Sequence, residues 1–543
     1  MKMTRELLQA TATTVRGLAM DAVQKANSGH PGMPMGMADV ASVLWLKHLK
    51  HCPDRPDWTD RDRFVLSAGH GSMLLYSMLH LSGYDLPMGE LEQFRQWGSK
   101  TPGHPENHMT AGVETTTGPL GQGIANAVGM ALAERMLAER FNTDTHTAVD
   151  HHTYVICGDG DLMEGLSHEA LALAGHLQLN KLVLFYDNNA ITIEGRTELA
   201  YSDDVKRRFQ GYHFKVIEID AHDYDQIDRA IRKAKRSEQP TVIICTSRIG
   251  FGSPNKEGTA SVHGEPLGAD EIRLTKQAIG LPPDGAFTVL DGVYEAFQSR
   301  ARSLKRQANA WQRAFKARCE QDPDFATRWD AFMEDRIPES LEAALPVFEP
   351  GTAVATRAAS GKVIQKLAAI MPQLVGGSAD LAPSTKTLID DGGSVAPGTF
   401  GGRNFHFGVR EHGMAGILNG IALHGGLRAF GATFFVFLDY CRPSVRLASI
   451  MQLPVIYVFT HDSFYVGEDG PTHEPVEHIA SLRCMPGMTT IRPGDPNETA
   501  AAWAAAIRNR QGPTALLLTR QNLDVIDRAG RAPAAEVEKG AYT

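Results

Sequence analysis

Residues 158–189 read GDGDLMEGLSHEALALAGHLQLNKLVLFYDNN. The apolar run TYVIC (153–157) precedes the stretch, and a second run, LVLFY (182–186), lies near its end. Two buried parallel strands are expected to finish at the same sheet edge, the first at Asp159 and the second at Asn188 and Asn189. The helical sequence between them has the length of a right-handed crossover. Open parallel sheets bind ligands outside the carboxyl ends of their strands. A carboxylate and a carboxamide delivered there suit a hard cation that also grips phosphate oxygens. A lone Asp-Gly is only a turn signal; the paired spacing carries the reading.

GDG followed by NN after residues 161–187 resembles the fingerprint of enzymes that use thiamine diphosphate. The resemblance implies that Asp159 and Asn189 hold Mg2+ (or Ca2+) on the diphosphate, with the backbone carbonyl of Ile191 as a further ligand.

The chain has 543 residues, 43% hydrophobic, with a net charge of -9. Length alone suggests roughly three or four domains. The negative balance gives no general polyanion-binding surface, so no nucleic-acid partner is expected. The six cysteines (52, 157, 245, 319, 441 and 484) form no CxxC pair, which favours a reducing compartment. The N-terminus has no apolar signal core, and no apolar run approaches the roughly 18 residues needed to cross a bilayer. The expectation is a cytoplasmic protein without membrane association.

Apolar residues at Leu7, Leu8, Val15, Leu18, Ala22 and Val23 predict an amphipathic helix over 4–26 that stops at Asn27-Ser28-Gly29. Further strands are expected at 215–219 and 241–245, alternating with helices. From 291 to 345 the pattern changes to a charged helical stretch and a connection. Alternation resumes near 356, with strands at 374–377, 428–433, 455–460 and 514–518. The fold class is α/β: two domains, 1–318 and 356–525, each a largely parallel sheet flanked by helices. A linker covers 319–355 and a polar tail 526–543.

Histidines recur in glycine-rich loops: SGHPG (His30), SAGHG (His70), PGHPE (His104) and SVHGEPL (His263). A single one of these is an ordinary surface histidine; four together suggest a site. GPLGQG (118–123) opens a helix, where the glycines serve either tight helix packing or an anion on the backbone amides. In the second domain, GVREHGM carries Glu411 at a helix start. Arg357, Ser384, His461 and Arg520 form a plausible phosphate-binding set. Phe434, Phe437 and Tyr440 are either core residues or a stacking platform for a flat heterocycle.

These motifs, in order and spacing from SGHPG to LTRQNL, resemble the transketolase family over nearly the whole chain. The resemblance implies a diphosphate-binding domain followed by an aminopyrimidine-binding domain, and a homodimer with active sites at the subunit interface. His70, Gly118, Leu120, Asp159, Gly160, Glu164, Asn189, Ile191 and His263 would hold the diphosphate end or the metal. Asp380, Glu411, Phe434, Phe437 and Tyr440 of the other subunit would hold the ring, with Glu411 on the aminopyrimidine nitrogen. His30 and His263 would move the substrate hydroxyl proton, as imidazoles with a pKa near 7. His104, Asp469 and His473 would bind the donor's oxygens, His473 being a further catalytic candidate, and the arginine set its phosphate. The implied reaction moves a two-carbon ketol unit from a ketose phosphate to an aldose phosphate, as in the pentose phosphate pathway.

Two departures from the family pattern stand out. A third, C-terminal domain is expected to be missing beyond the tail. The loop after His461 has Phe464-Tyr465 and Glu474 where the family has Ile-Gly and Gln, which is expected to alter acceptor preference or the protonation of His473. Two other readings stay open. One is ketol transfer of the dihydroxyacetone synthase kind; deoxyxylulose phosphate synthase follows the motif order less well. The other is a non-catalytic regulatory protein that binds the cofactor, whose mark would be loss of Glu411, the metal pair or the histidines; none is lost.

Overall fold

The computed structural model describes residues 3–542. They divide into two compact units, residues 1–131 with 144–317 and residues 132–143 with 318–543.

The first unit is built on five parallel strands: β1 (Arg63–Leu66), β2 (Thr153–Gly158), β3 (Leu182–Asn188), β4 (Lys215–Asp220) and β5 (Thr241–Thr246), in the order β1-β2-β3-β5-β4. The central strands β2 and β3 are the two apolar runs of the opening stretch, buried along their length, as all-parallel strands must be. Gly158 pairs with Asp187 in the register, so Asp159 and the two asparagines emerge at one edge. The crossover is not one helix. It breaks at Glu164, an extended residue between Asp159–Met163 and Gly165–His176.

The first predicted helix is Arg5–Ala26. The Thr4 side chain accepts from Leu7 N at 3.4 Å and starts it; Asn27, in the left-handed region at φ 49°, ends it. Its apolar face joins a core with Val40, Leu44, Leu75, Ile156, Phe185 and Ile243.

The second unit carries six parallel strands: β7 (Leu374–Ser378), β8 (Asn404–His406), β9 (Arg428–Phe434), β10 (Ile456–Thr460), β11 (Thr489–Ile491) and β12 (Thr514–Leu518). Their order is β11-β12-β10-β9-β7-β8, and β6 (Ala353–Ala355) and β13 (Asn522–Asp524) pair antiparallel beside them. Val363, Ile364 and Leu367 of the helix Thr356–Ile370 pack with Phe430, Val458 and Trp503. Trp503 donates its indole N–H to Ser360 at 2.8 Å, which makes its burial tolerable.

The charged stretch expected to be helical is a 29-residue helix, Val293–Gln321, and the linker after it carries a second, Pro323–Met333, capped by Asp322 with proline at its first position. One region holds more structure than the sequence suggests. The segment read as a polar tail is docked: Arg528 binds Asp495 at 3.1 Å and Glu498 at 2.9 Å, and the Tyr542 hydroxyl donates to Glu498. No helix among the described residues is long and apolar enough to cross a membrane.

Candidate active site

In the first unit the C-terminal strand edge opens into a cleft of about 260 Å³, lined among others by His30, His70, Gly118, Leu120, Asp159, Gly160, Asn189, Ile191 and His263. These residues come from six separate segments of sequence, brought together by the strand order.

Its floor is carboxylate. Asp159 accepts from the Tyr186 hydroxyl through Oδ1. Its Oδ2 is buried with no hydrogen-bond partner. A buried carboxylate oxygen left bare is costly unless a cation meets it. Burial pushes the Asp159 carboxyl up to about 6, with the Tyr186 hydrogen bond opposing. Asp187, fully buried behind it, accepts from the Ser247 hydroxyl and from Asn189 Nδ2, the latter at 2.9 Å. That contact turns the Asn189 Oδ1 the other way, where it accepts from Ile191 N at 2.9 Å. Burial likewise raises Asp187, to about 7.

A second carboxylate fastens the surrounding backbone. Asp161 accepts from Ser67 Oγ at 2.6 Å, Gly121 N at 2.8 Å and Gly158 N at 3.0 Å. It thereby ties the end of β1, the GPLGQG loop and the end of β2 together. A Cβ on Gly160 would stand 2.8 Å from Leu120 Cδ1, and one on Gly69 would stand 2.5 Å from Thr117 Oγ1. These are close backbone approaches of the kind a diphosphate cradle needs.

Above the floor, four imidazoles converge. Ring centroids are 5.2 Å apart for His30 and His70, 5.2 Å for His70 and His263, 5.8 Å for His30 and His263, and 6.4 Å for His30 and His104. Arg95 reaches in, its Nη1 on Ser28 Oγ at 2.8 Å and its Nη2 3.5 Å from His30 Nδ1. The expected pKa near 7 is not found. Burial, then the charges of His263, Arg95 and His104, bring His30 down to about 4. Burial, then His263, His30 and His104, bring His70 to about 3, and burial lowers His104 and His263 as well. All four are neutral at pH 7, and His263 Nδ1 is buried without a partner.

In the second unit the loops after the strands carry the other set. Arg357 donates to the Ser384 carbonyl at 2.9 Å and lies 3.4 Å from His461 Nε2. The His461 ring stacks on Phe434 at 3.7 Å, and its backbone is left-handed at φ 59°. Phe437 lies parallel to Phe434 at 6.1 Å, with Tyr440 at 5.9 Å and His473 at 5.5 Å from it. The sequence left these aromatics open between core and platform; Tyr440 is 64% exposed, which favours the platform. Arg520 is engaged by Glu468. Glu411 begins the helix Glu411–His424, buried, with its carboxyl raised by burial.

Some expected residues stand apart. Glu164 is exposed in the break between two helices and does not line the cleft. Asp469 and Asp380 are exposed, Asp380 with φ 62°. Phe464 and Tyr465 stack on each other at 4.8 Å, both 64% exposed. Sequence reading missed Arg95, Asp161, Asp187, Ser247 and Glu468. Asp161 and Asp187 are the acidic neighbours of GDG and NN, and that adjacency was the available signal.

A parallel sheet that ends in a bare buried carboxylate, a carboxamide and a glycine cradle defines a diphosphate-binding enzyme of the thiamine diphosphate class. Residues 8–338 match the thiamine diphosphate binding domain of transketolase, and residues 352–525 match its pyrimidine binding domain. The chain belongs to the transketolase family. It is 54% identical to the transketolase of Bacillus subtilis over 535 residues, covering 98% of this chain and 80% of that one. It is 53% identical to that of Geobacillus stearothermophilus over 544 residues, 99% of this chain and 81% of that one. The solved transketolase of Leishmania mexicana superposes with a TM-score of 0.96 at 45% identity, covering 98% of this chain and 80% of that one. A complex of the Pichia stipitis enzyme with sedoheptulose 7-phosphate gives 0.96 at 43% identity, with the same shares of each chain.

Proposed function

We propose the following assignment of roles for the transketolase activity, the reversible transfer of a two-carbon ketol unit from a ketose phosphate to an aldose phosphate. The bare Oδ2 of Asp159, in the lining of the cleft with Asn189, is the observation that carries the assignment. Asp159, the Asn189 carboxamide and the Ile191 carbonyl would hold Mg2+ or Ca2+, with His70, His263, Gly118, Leu120 and Gly160 around the diphosphate. Bound there, thiamine diphosphate supplies the electron sink that lets a carbon–carbon bond beside a carbonyl break.

The chain's own residues do the rest. Glu411, its carboxyl raised by burial, would hydrogen-bond the ring nitrogen of the aminopyrimidine. Phe434, Phe437 and Tyr440 offer it a stacking face, with Asp380 on the loop after β7, the strand that pairs with β9. We assign these groups to the partner of a homodimer, since Tyr440 is exposed in the single chain. His30 and His263, neutral at pH 7, can accept the substrate hydroxyl proton. Their low basicity in the free protein rises when phosphate charge enters the cleft. His104, Asp469 and His473 would hold the donor's oxygens. Arg357, Ser384, His461 and Arg520 would hold the sugar phosphate and so fix the reacting carbonyl.

The free thiols of all six cysteines support a cytoplasmic setting in carbohydrate metabolism. The test is turnover of xylulose 5-phosphate with ribose 5-phosphate by the 543-residue chain. Sedoheptulose 7-phosphate should form only when thiamine diphosphate and a divalent cation are both present. Bound cofactor with no product from these sugars, but turnover with formaldehyde as acceptor, would favour the dihydroxyacetone synthase reading.

A further inference from the structure

His478, in the second unit, has no part in the assignment above. It opens the helix His478–Arg483, and its side chain is 4% exposed. Both ring nitrogens are buried without a hydrogen-bond partner, which is costly for a polar group taken out of water. Two carboxylates stand beside it: Asp439 Oδ2 is 3.3 Å from Nε2, and Glu477 Oε2 is 3.9 Å from Nδ1. Charge-assisted hydrogen bonds would close to about 2.7–2.9 Å. The Asp439 gap fits another arrangement. Two donors each about 2.0–2.1 Å from a tetrahedral dication stand roughly 3.3–3.4 Å apart. One donor atom from each of the three residues lies within 4.8 Å of the others.

The surroundings are compatible with a cation. The Phe435 ring, 5.6 Å from the imidazole, backs it. The nearby guanidinium of Arg442 is turned to Ser481 Oγ at 2.8 Å. Asp439 and Glu477 are 65% and 77% exposed, so both can rotate onto an ion that the buried histidine anchors.

We propose that Asp439, Glu477 and His478 form a second metal site, separate from the diphosphate cleft, for a borderline first-row dication such as Zn2+, Ni2+ or Co2+. An imidazole with two carboxylates favours these ions over Mg2+ and Ca2+. Asp439 lies in the helix Leu438–Ile450, which also carries Tyr440, and Glu477 closes the loop that carries His473. An ion there would clip that loop to that helix.

The test uses the full chain saturated with thiamine diphosphate and excess Mg2+, titrated with Zn2+ by calorimetry and with Co2+ by visible absorption. One further equivalent should bind to the wild type, at least tenfold more weakly to His478→Gln, and more weakly to Asp439→Asn and Glu477→Gln. The last two change exposed side chains and leave the fold intact, so they test the site even where His478→Gln lowers stability. Ions taken up by the cleft histidines would persist in all three variants and cancel in the comparison. Equal uptake by the wild type and all three variants, or no uptake by the wild type at millimolar Zn2+, would overturn the proposal.

Discussion

Both units end a parallel sheet in loops that bear functional side chains, yet the edge of β1–β5 is closed and ionic while that of β7–β12 is open and aromatic. At the first edge, Asp159, Asp187 and Asp161 are buried and the imidazoles crowd one another. At the second, Tyr440, Phe464 and Tyr465 face outward, and Arg520 takes Glu468 as its anion. The first edge has fixed its geometry before a ligand arrives. The second has assembled arginines and rings but left their faces uncovered. Pre-organisation belongs where charge must be held in place; an open surface belongs where exchanging sugars must enter and leave.

The largest effect is expected at the closed edge. Asp159→Asn should lower kcat/KM roughly 10³-fold and remove the rise in Tm that thiamine diphosphate with Mg2+ gives the wild type. Retention of that thermal shift would take Asp159 out of the ion site. Glu411→Gln should lower kcat by about 10²–10⁴-fold while cofactor still binds; normal turnover in the variant would end its assignment to the aminopyrimidine nitrogen. At the open edge, Arg520→Ala should chiefly raise KM for phosphorylated donors, by roughly 10- to 100-fold, with little change for unphosphorylated hydroxypyruvate. An equal effect on both donors would argue against a phosphate contact. Glu468→Gln, which frees Arg520, should lower that same KM by no more than about fivefold.

The smallest effect is a pH dependence that separates carboxylates from imidazoles. Asp159 at about 6 and Asp187 at about 7 lie above the ordinary carboxylate range, so from roughly pH 4 to 7 the folded chain keeps protons that the unfolded chain has released. Their contribution to stability therefore falls as pH rises through that window. His30 and His70, at about 4 and about 3, act oppositely: below the ordinary histidine pKa of about 6.5 the unfolded chain binds the extra protons, so their contribution to stability is lost as pH decreases and regained as it rises. A cation in the cleft reverses the carboxylate loss. The thermal shift given by Mg2+ with thiamine diphosphate should thus grow between pH 5 and pH 8, and Asp187→Asn should flatten that growth. A shift of constant size across the range would count against this assignment of the carboxylates.

The central strands were legible because TYVIC and LVLFY are continuous apolar runs, and burial on both faces demands such runs. Of the four outer strands, β4 was legible as KVIEI and the other three were not. RFVL, NFH and TTI are too short to carry a period, and pairing with a neighbour is what makes them strands. The loop histidines could be singled out by their glycine context, but their basicity could not, since it depends on how closely four loops distant in sequence approach. Asp187 and Ser247 lie 60 residues apart and meet only because β3 and β5 are neighbours. The break at Glu164 was marked only by Gly165 beside it, and a single glycine inside a helical pattern is too weak a signal to place a break.

The three-way grip of Asp161 on Ser67, Gly121 and Gly158 has a kinetic corollary. Three loops fastened by one carboxylate cannot loosen separately without stranding a buried charge. The amides of Gly121 and Gly158 should therefore exchange with deuterated solvent at a common, slow rate, as one cooperative opening unit.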